Sequence, residues 1–326
     1  MILTNQHGIS VPLAVWLLHD DYDHIDEPNY ISATSFLKST RQLVLTQRVN
    51  HAERELDISA FIASRNGTAI HDSIEKAWRV SGPSALKKLG YPEAVCNNLR
   101  VNPTDEELAA NKALIPVWIE RRSFREITVN GITYKIGGKF DMVLEGRLFD
   151  AKTTSVYAYL LGRKDEDYKW QGSIYRWLNP ELITDEHIFI QFIFTDWQKA
   201  RARGDTNYPQ TKVIEYPVEL ASLAETEAFL VAKLTELQKY TNASDEEIPY
   251  CTDKELWRSD TVYKYYTDPN NKRATKNFED DKAGAHAYLA SKGGKGVVKA
   301  IPGEVRACEF CPAFNACKQK DNYYVA

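Results

Sequence analysis

The sequence predicts a mixed α/β fold, with a central mixed β-sheet flanked by helices and a small cysteine-containing module at the C-terminal end. Two observations lead to this prediction. The middle of the chain carries successive strand-like runs joined by turn residues, whereas the runs around it place apolar residues at helical spacing. The order helix, antiparallel strands, helix, two strands and helix is typical of a sheet with helices on its faces.

Composition agrees with an ordinary globular protein of 326 residues, since 43% of them are hydrophobic and 26% are charged. The net charge of −4 argues against a protein that simply coats nucleic acid, but it allows an enzyme with a local basic track. No run has the apolar length of a membrane span, and the N-terminus lacks a signal-peptide pattern. We therefore expect a cytoplasmic protein without a membrane partner.

Helices are predicted on both sides of the central strands. A helix is expected over residues 67–78, and a capping-box pattern at Thr104 predicts another that continues to about Arg121. Downstream, a helix over 168–178 should stop before a proline, and a second capping pattern begins a long helix over 222–240.

Four strands in succession are predicted between these helices. Asn130-Gly131 is the strongest short hairpin signal, and Glu145-Gly146 supplies a second turn. Two further strands should follow, separated by a basic loop. The six predicted strands cover residues 124–129, 132–136, 139–144, 147–152, 187–195 and 212–218.

The second hairpin carries the chemistry that matters most. It brings Asp141 and Asp150 side by side at its open end, and Lys152 points to the same face as Asp150. Two hard oxygen ligands beside a cation suit Mg²⁺ and the orientation of an attacking water at a phosphodiester. An ion pair on an edge strand is the alternative. A second copy of the Asp-x-Lys pattern, at Asp280 and Lys282, has no strand before it and is expected on the solvated surface.

Other residues are candidates for the same site, each with a structural alternative. His71 offers an imidazole to a metal or serves the fold, and Glu126 is a further acidic candidate or a surface residue. Gln171 and Tyr175 share one helix face, where they would contact DNA or orient the lysine, or form ordinary helix surface. Basic tracks are expected from three groups: Arg121, Arg122 and Arg125; Arg163 and Lys164; and Lys199, Arg201 and Arg203.

The order of these motifs resembles the PD-(D/E)xK nuclease superfamily, in particular its RecB-like and lambda-exonuclease-like branch with phage-type exonucleases. The motifs are Gly67-x-x-x-His71, Gly138-Lys-Phe-Asp141, Asp150-Ala-Lys152 and Gln171-x-x-x-Tyr175, and the resemblance covers roughly residues 30 to 240. It implies a restriction-endonuclease-like core and a metal-dependent deoxyribonuclease. Asp150 stands where glutamate is commoner, which the family pattern permits.

The resemblance also implies a role for each residue of the hairpin. His71, Asp141 and Asp150 would ligate Mg²⁺ or Mn²⁺, together with the backbone carbonyl of Ala151. Lys152 would lower the pKa of the attacking water or stabilise charge on the phosphate.

By the same resemblance, Gln171 and Tyr175 would position the substrate strand and the lysine, while Glu126 matches an acidic position found upstream of the aspartate in some members. The implied activity is exonucleolytic, at DNA ends, in recombination, repair or phage DNA metabolism of a bacterial or phage-infected cell. DNA is the implied substrate, and a recombinase, a single-strand-binding protein or a helicase is the implied partner.

Cysteines form the second signal. Three cysteines lie close together in the run Cys308-x-x-Cys311-x5-Cys317. In a cytoplasmic protein, thiolates so spaced favour a metal or iron–sulfur site over disulfides, and a site with three thiolates needs a fourth ligand. Relatives with a [4Fe–4S] cluster place a cysteine ahead of the histidine motif, where this chain reads Ser39-Thr40-Arg41. Cys251 is the best substitute, and Cys96 is expected to be a core thiol. A [4Fe–4S] cluster, zinc and unligated thiols all stay open for Cys251, Cys308, Cys311 and Cys317.

Three segments are expected: an N-terminal helical segment (1–66), a nuclease core (67–245) and a Cys-rich module (246–326).

The alternative function is a DNA-binding or assembly factor whose nuclease-like core is not catalytic. An ATP-driven motor within this chain is excluded, because the Gly293-Gly-Lys-Gly run lacks the spacing of a phosphate-binding loop.

Overall fold

The computed structural model describes residues 2–21, 23–50, 55–162 and 164–324. The helices are α1 (Val11–Leu18), α2 (Thr40–Thr46), α3 (Ile62–Lys88), α4 (Glu93–Asn98), α5 (Asp105–Ala110), α6 (Val156–Leu160), α7 (Asp165–Leu178), α8 (Lys199–Gly204), α9 (Leu223–Tyr240), α10 (Lys282–Ser291) and α11 (Ala307–Phe310). The strands are β1 (Ile2–Thr4), β2 (Tyr30–Ser32), β3 (Glu55–Asp57), β4 (Leu99–Val101), β5 (Ile115–Val129), β6 (Ile132–Leu144), β7 (Arg147–Thr154), β8 (His187–Phe194), β9 (Val213–Glu219), β10 (Val262–Tyr266), β11 (Lys276–Glu279) and β12 (Val297–Ile301).

These elements divide into two compact units. The first unit comprises residues 1–37 and 52–235, and the second comprises residues 38–51 and 236–326. These boundaries differ from the three segments expected from the sequence, because a short early segment belongs with the C-terminal part of the chain.

A central mixed sheet organises the first unit, as the sequence predicts. Its strands follow the order β4-β5-β6-β7-β8-β9, and β2 pairs with β6 as well. Strands β5, β6 and β7 are antiparallel neighbours, β8 runs parallel to β7, and β9 returns antiparallel to β8. Helices flank this sheet, so the predicted mixed α/β class is confirmed.

Both predicted hairpin turns are present. Asn130 and Gly131 have φ values of 49° and 80°, and Glu145 and Gly146 have values of 51° and 79°. Two successive residues with positive φ match the twist of the adjoining strands, which is why Asn-Gly and related pairs favour such turns.

The prediction of four separate central strands is wrong, because the second and third are one strand, β6. Gly137 and Gly138 lie at the predicted break, where side chains from other elements pack closely against the backbone of the strand. A Cβ atom at Gly138 would lie 2.9 Å from Tyr175 Cε1 and 2.8 Å from Leu178 Cδ1. Gly138 therefore lets helix α7 pack against a continuous strand.

The predicted helix from Thr104 to about Arg121 is also wrong in its extent. The capping box forms, since Thr104 Oγ1 accepts the N–H of Glu107 and Glu107 accepts the N–H of Thr104. The helix nevertheless ends at Ala110, and β5 begins at Ile115. Pro116 is unfavourable inside a helix, and the apolar side chains of residues 117–119 are buried in the sheet.

Helix α7 is the main helix behind the candidate site. Eight of its residues are buried, among them Gln171 and Tyr175. Its Trp177 is 1% exposed and donates its indole N–H to Glu227 over 3.1 Å. This packing fixes the helix face that carries the two predicted polar residues.

The second unit has its own core and sheet. Val44, Leu45, Ile248 and Ala313 form a buried apolar cluster. Strands β11, β10 and β12 form a three-stranded antiparallel sheet, and helix α10 contacts all three strands. Across the described part of the whole chain, no helix combines the length and the apolar character that a membrane crossing requires.

Candidate functional site

The candidate site of the first unit is built by elements that are distant in sequence. Helix α3 supplies His71, β5 supplies Glu120, and β6 supplies Asp141. Strand β7 supplies Asp150 and Lys152, and α7 supplies Gln171 and Tyr175 behind them. The structure therefore brings together most of the residues that the sequence singles out.

His71, Glu120 and Asp141 form a compact group of metal-ligating atoms. His71 Nε2 lies 2.5 Å from Asp141 Oδ2, and His71 Nδ1 lies 3.1 Å from Glu120 Oε1. One donor atom from each residue lies within 4.8 Å of the other two. Carboxylate oxygens and an imidazole nitrogen suit Mg²⁺ or Mn²⁺, so the donor set fits a divalent cation.

Glu120 is the site residue that the sequence reasoning missed. The pairs Ile119–Met142 and Arg121–Phe140 in the ladder place it opposite Asp141, and its φ of 52° is unusual for a glutamate in a strand. Its other carboxylate oxygen lies 2.7 Å from Lys139 Nζ. The sequence predicts a helix that continues to about Arg121, so the position of Glu120 opposite Asp141 in a sheet could not be predicted.

Glu126, which the sequence offers instead, lies elsewhere on β5. It is exposed and stands opposite Lys135 in the ladder. Glu126 is therefore a surface residue, which was the alternative given for it from the sequence. It does not belong to the group of His71, Glu120 and Asp141.

Asp150 occupies a second, deeper position beside the group. Its side chain is 1% exposed. Its Oδ2 lies 2.7 Å from the Lys152 ammonium and accepts no hydrogen bond from any other described residue. Its Oδ1 accepts a hydrogen bond of 3.3 Å from Gln171 Nε2, which also donates to the Tyr175 hydroxyl over 3.2 Å.

Gln171 and Tyr175 thus support Asp150 rather than forming helix surface. Asp150 in turn holds Lys152, whose side chain reaches the same cleft. A backbone-to-side-chain hydrogen bond links β7 to β6 as well, because Ala151 N–H donates to Asp141 Oδ2 over 3.0 Å. A chain of contacts therefore runs from Gln171 and Tyr175 of helix α7, through Asp150 and Ala151 of β7, to Asp141 beside His71.

The ionisable groups of the site shift one another's pKa values. Hydrogen bonds to Asp141 and then Glu120 raise the pKa of His71 to about 10. Burial raises the pKa of Asp150 to about 6, the charge of Asp141 adds to this, and Lys152 opposes it. Burial favours neutral Lys152, but the charges of Asp150 and Asp141 outweigh it and raise the lysine pKa above its usual value. Lys152 therefore stays an ammonium.

A cleft of about 190 Å³ opens between helix α3 and the end of β7. His71, Lys152 and Thr153 line it, and Gly67 of α3 faces Thr153 across it. His71 and Lys152 thus line one open cleft, and Asp141 contacts His71 beside it.

The other basic residues divide between packing and surface. Arg121 lies over the Trp118 ring and Arg125 over the Trp177 ring, at 4.5 and 4.2 Å from the ring centroids. Arg122 pairs with Asp23 over 3.4 Å. These three arginines serve the fold. Arg163 lies outside the described residues. At the second Asp-x-Lys copy, Asp280 and Lys282 are exposed, so the predicted surface position is confirmed. The expectation that no strand precedes this copy is wrong, because β11 ends at Glu279, directly before Asp280.

Four of the five cysteines lie in the second unit. Cys251 Sγ lies 3.2 Å from the Ser39 hydroxyl, and Cys317 Sγ accepts a hydrogen bond of 3.0 Å from Arg41 Nε. Burial raises the pKa of Cys308 to about 11, and the charges of Cys311, Cys317 and Cys251 add to it. Cys251 therefore lies beside Ser39, the first residue of the Ser39-Thr40-Arg41 run.

Among the described residues, only the group of His71 brings three metal-ligating atoms within 4.8 Å of one another, and no three of the cysteine sulfurs do so. Cys96 is buried in helix α4 of the first unit, as expected of a core thiol.

No protein-family model and no curated protein matches this chain. Among solved structures, the crystal structure of SSO0001 is similar, with a TM-score of 0.40 and 19% identity over 74% of this chain and 91% of that chain. The crystal structure of Scheffersomyces stipitis Rai1 is similar with a TM-score of 0.22 and 10% identity, over 88% and 77% of the two chains. Neither likeness is close enough to assign a fold family.

Proposed function

We propose that this protein is a metal-dependent deoxyribonuclease with a restriction-endonuclease-like core of the PD-(D/E)xK type. One observation carries the proposal. His71, which forms a group of candidate metal ligands with Glu120 and Asp141, lines the same cleft as Lys152, and the buried Asp150 holds that lysine. A site for a divalent cation beside a fixed ammonium suits the hydrolysis of a phosphodiester.

His71, Glu120 and Asp141 would hold Mg²⁺ or Mn²⁺, with Asp150 and the Ala151 carbonyl next to them on β7. The cation would supply Lewis-acid activation of water and of the scissile phosphate. Its binding requires neutral His71, so the proton that Asp141 and Glu120 stabilise on the imidazole must leave first.

Lys152 performs the second part of the chemistry. Its ammonium is fixed by Asp150 at 2.7 Å and points into the cleft, where it binds a phosphate oxygen and neutralises the charge that develops in the transition state. Gln171 holds Asp150 and Tyr175 supports Gln171, so helix α7 orients the lysine without touching the substrate.

The resemblance to phage-type exonucleases leads us to propose attack at DNA ends. The test is digestion of linear and circular duplex DNA by the full-length protein, with Mg²⁺ or Mn²⁺ and with a chelator. Degradation of the linear form alone supports the exonuclease. Cleavage of circular DNA would support an endonuclease instead.

Lys152→Ala is the test of the site. Loss of a preorganised charge lowers kcat by about 100-fold or more. Lys282→Ala is the matched control, because it removes the lysine of the surface Asp-x-Lys copy. DNA binding without metal-dependent cleavage by the wild type would reject the enzyme and favour a binding factor with a nuclease-like core.

In the second unit, we propose that Cys251, Cys308, Cys311 and Cys317 hold a [4Fe–4S] cluster. Two observations support this assignment: Cys311, Cys317 and Cys251 lie near enough to Cys308 to raise its pKa, and three of the four follow the sequence spacing Cys308-x-x-Cys311-x5-Cys317. The cluster would stabilise the second unit, since such sites couple metal binding to folding.

A further inference from the structure

The segment between β8 and β9, residues 195–212, contains helix α8 and is fastened to the end of the catalytic strand β7. Thr195 N–H donates to the carbonyl oxygen of Thr154 over 2.9 Å. Asp196 Oδ1 accepts the N–H of Val156 over 2.7 Å. Because β7 and β8 are parallel, the segment lies at the edge of the sheet toward which Asp150 and Lys152 lead.

The segment is also held internally. Trp197 donates its indole N–H to Pro209 O over 2.8 Å, and Gln198 N–H donates to the Tyr208 hydroxyl over 3.0 Å. Tyr208 is 5% exposed and lies under the guanidinium of Arg201, 5.4 Å from the ring centroid. Helix α8 therefore has a defined position relative to β7.

Two cations of helix α8 make no ion pair with any described residue. Lys199 and Arg203 are exposed and make no ion pair in the described part of the chain. Cations at many other positions of the unit are paired with carboxylates: Arg79–Glu75, Lys87–Glu93, Arg100–Glu107, Lys135–Glu27 and Arg147–Glu215.

The positions of Lys199 and Arg203 on helix α8 are electrostatically unfavourable. Lys199 is the first residue of α8, where the helix dipole favours a negative charge, and no side chain caps the helix. Lys199 and Arg203 are four residues apart, so two like charges share one flank beside the buried Ala202. An arrangement that contradicts local preferences in this way is typical of a binding site.

We infer that Lys199 and Arg203 form a phosphate-binding surface for the DNA strand that leads to the metal group, an inference that rests on the proposed nuclease function. Their spacing of one helical turn suits contacts to neighbouring phosphates of one strand. Arg201 lies on the other flank against Tyr208 and is not part of this surface.

The position of the surface sets the length of substrate that it can contact. Thr154 lies four residues beyond Asp150, which is about 13 Å along a strand. A stacked strand rises about 3.4 Å per nucleotide, so a DNA strand that runs from Asp150 to the end of β7 spans about four nucleotides. A shorter substrate occupies the metal site without reaching helix α8.

The experiment compares the full-length wild type with the double variant Lys199→Ala/Arg203→Ala. The matched control is Lys88→Ala/Lys112→Ala, which removes two exposed cations from elsewhere in the same unit. Binding of a long linear duplex in chelator is measured by fluorescence anisotropy over a range of salt concentrations. Two lost phosphate contacts lower the slope of log K against log salt by about 1.8.

A second measurement compares kcat/KM for a long oligonucleotide and for one shorter than the predicted span. The ratio of long to short falls in the double variant and stays at the wild-type value in the control. An unchanged salt slope in the double variant, with cleavage by the wild type intact, would reject the surface and retain the nuclease. A reduced slope without metal-dependent cleavage by the wild type would reject the nuclease and retain the phosphate surface.

Discussion

At the scale of single residues, the candidate site depends on which groups carry protons. His71 has a carboxylate at each ring nitrogen, Asp141 at 2.5 Å and Glu120 at 3.1 Å. Without metal, these contacts favour the imidazolium form. A divalent cation and the proton therefore compete for the same imidazole and carboxylate atoms.

This competition predicts a pH dependence of metal binding. The pKa of His71 is raised to about 10, so below that pH each cation that binds releases the imidazole proton. The affinity for Mn²⁺ rises with pH up to that value and then levels off. Isothermal titration calorimetry in buffers of different ionisation enthalpy measures the proton release. A release unaffected by His71→Gln would contradict the assignment.

The raised pKa of His71 also predicts that the metal-free fold becomes less stable as the pH rises, whereas the affinity for metal increases. Because the folded pKa lies above the ordinary value of 6.5, the stabilisation by charged His71 is complete below pH 6.5 and is lost as the pH rises toward about 10. Thermal unfolding in chelator should show this decline in the wild type, and His71→Gln should reduce it.

Glu120 and Glu126 provide a matched pair of substitutions on one strand. Glu120→Gln removes a charged donor from the metal group, and we expect a loss of metal affinity of about 10- to 100-fold. Glu126→Gln changes an exposed residue of the same strand and should leave the affinity as in the wild type. Equal effects of the two substitutions, measured by Mn²⁺ titration, would contradict the structural assignment.

At the scale of elements, helix α7 places its polar face by close packing. A Cβ atom at Gly172 would lie 2.9 Å from Ile188 Cβ and 2.7 Å from Leu220 Cδ2. Only glycine lets the helix approach β8 this closely. Since Gln171 precedes it directly, the packing at Gly172 also sets the support of Asp150.

Gly172→Ala should therefore destabilise the fold by about 1–3 kcal/mol through overpacking. It should lower kcat as well, because α7 moves away from Asp150. Gly204→Ala in helix α8 is the control, since a Cβ atom there meets nothing within 4 Å. Chemical denaturation measures the free energy of unfolding, and an equal change in both variants would argue against this packing role.

Local signals predicted some elements well and others poorly. The hairpin turns were predictable because Asn130-Gly131 and Glu145-Gly146 specify their own backbone geometry. The capping box at Thr104 was predictable for the same reason. The helix length was not, because burial of Val117 and Ile119 in the sheet outweighs the local helix signal.

At the scale of the whole molecule, the second unit joins two parts of the chain that are far apart in sequence. Arg41 is 1% exposed and donates to the carbonyl oxygens of Asp245 and Ile248 over 2.9 and 3.0 Å. It also pairs with the Asp245 carboxylate. A buried cation needs such partners, so the segment 38–51 is tied to the C-terminal part of the chain.

The cysteines of this unit predict a measurable cofactor. Cys251→Ser should lower the iron content and the visible absorbance of anaerobically purified protein. Cys96→Ser should retain both, because Cys96 is a buried thiol of the first unit. Zinc instead of iron in the wild type, determined by elemental analysis, would replace the cluster with a structural zinc site.

The sequence by itself determined the fold class, the two hairpins and the motif order around Asp141, Asp150 and Lys152. These features depend on local turn chemistry and on residue spacing along single elements, which the sequence contains directly. Only the tertiary structure decided that Glu120 faces His71 and that Arg41 contacts Cys317. These contacts join residues 49 and 276 positions apart, and such partners are set by strand register and burial rather than by local pattern.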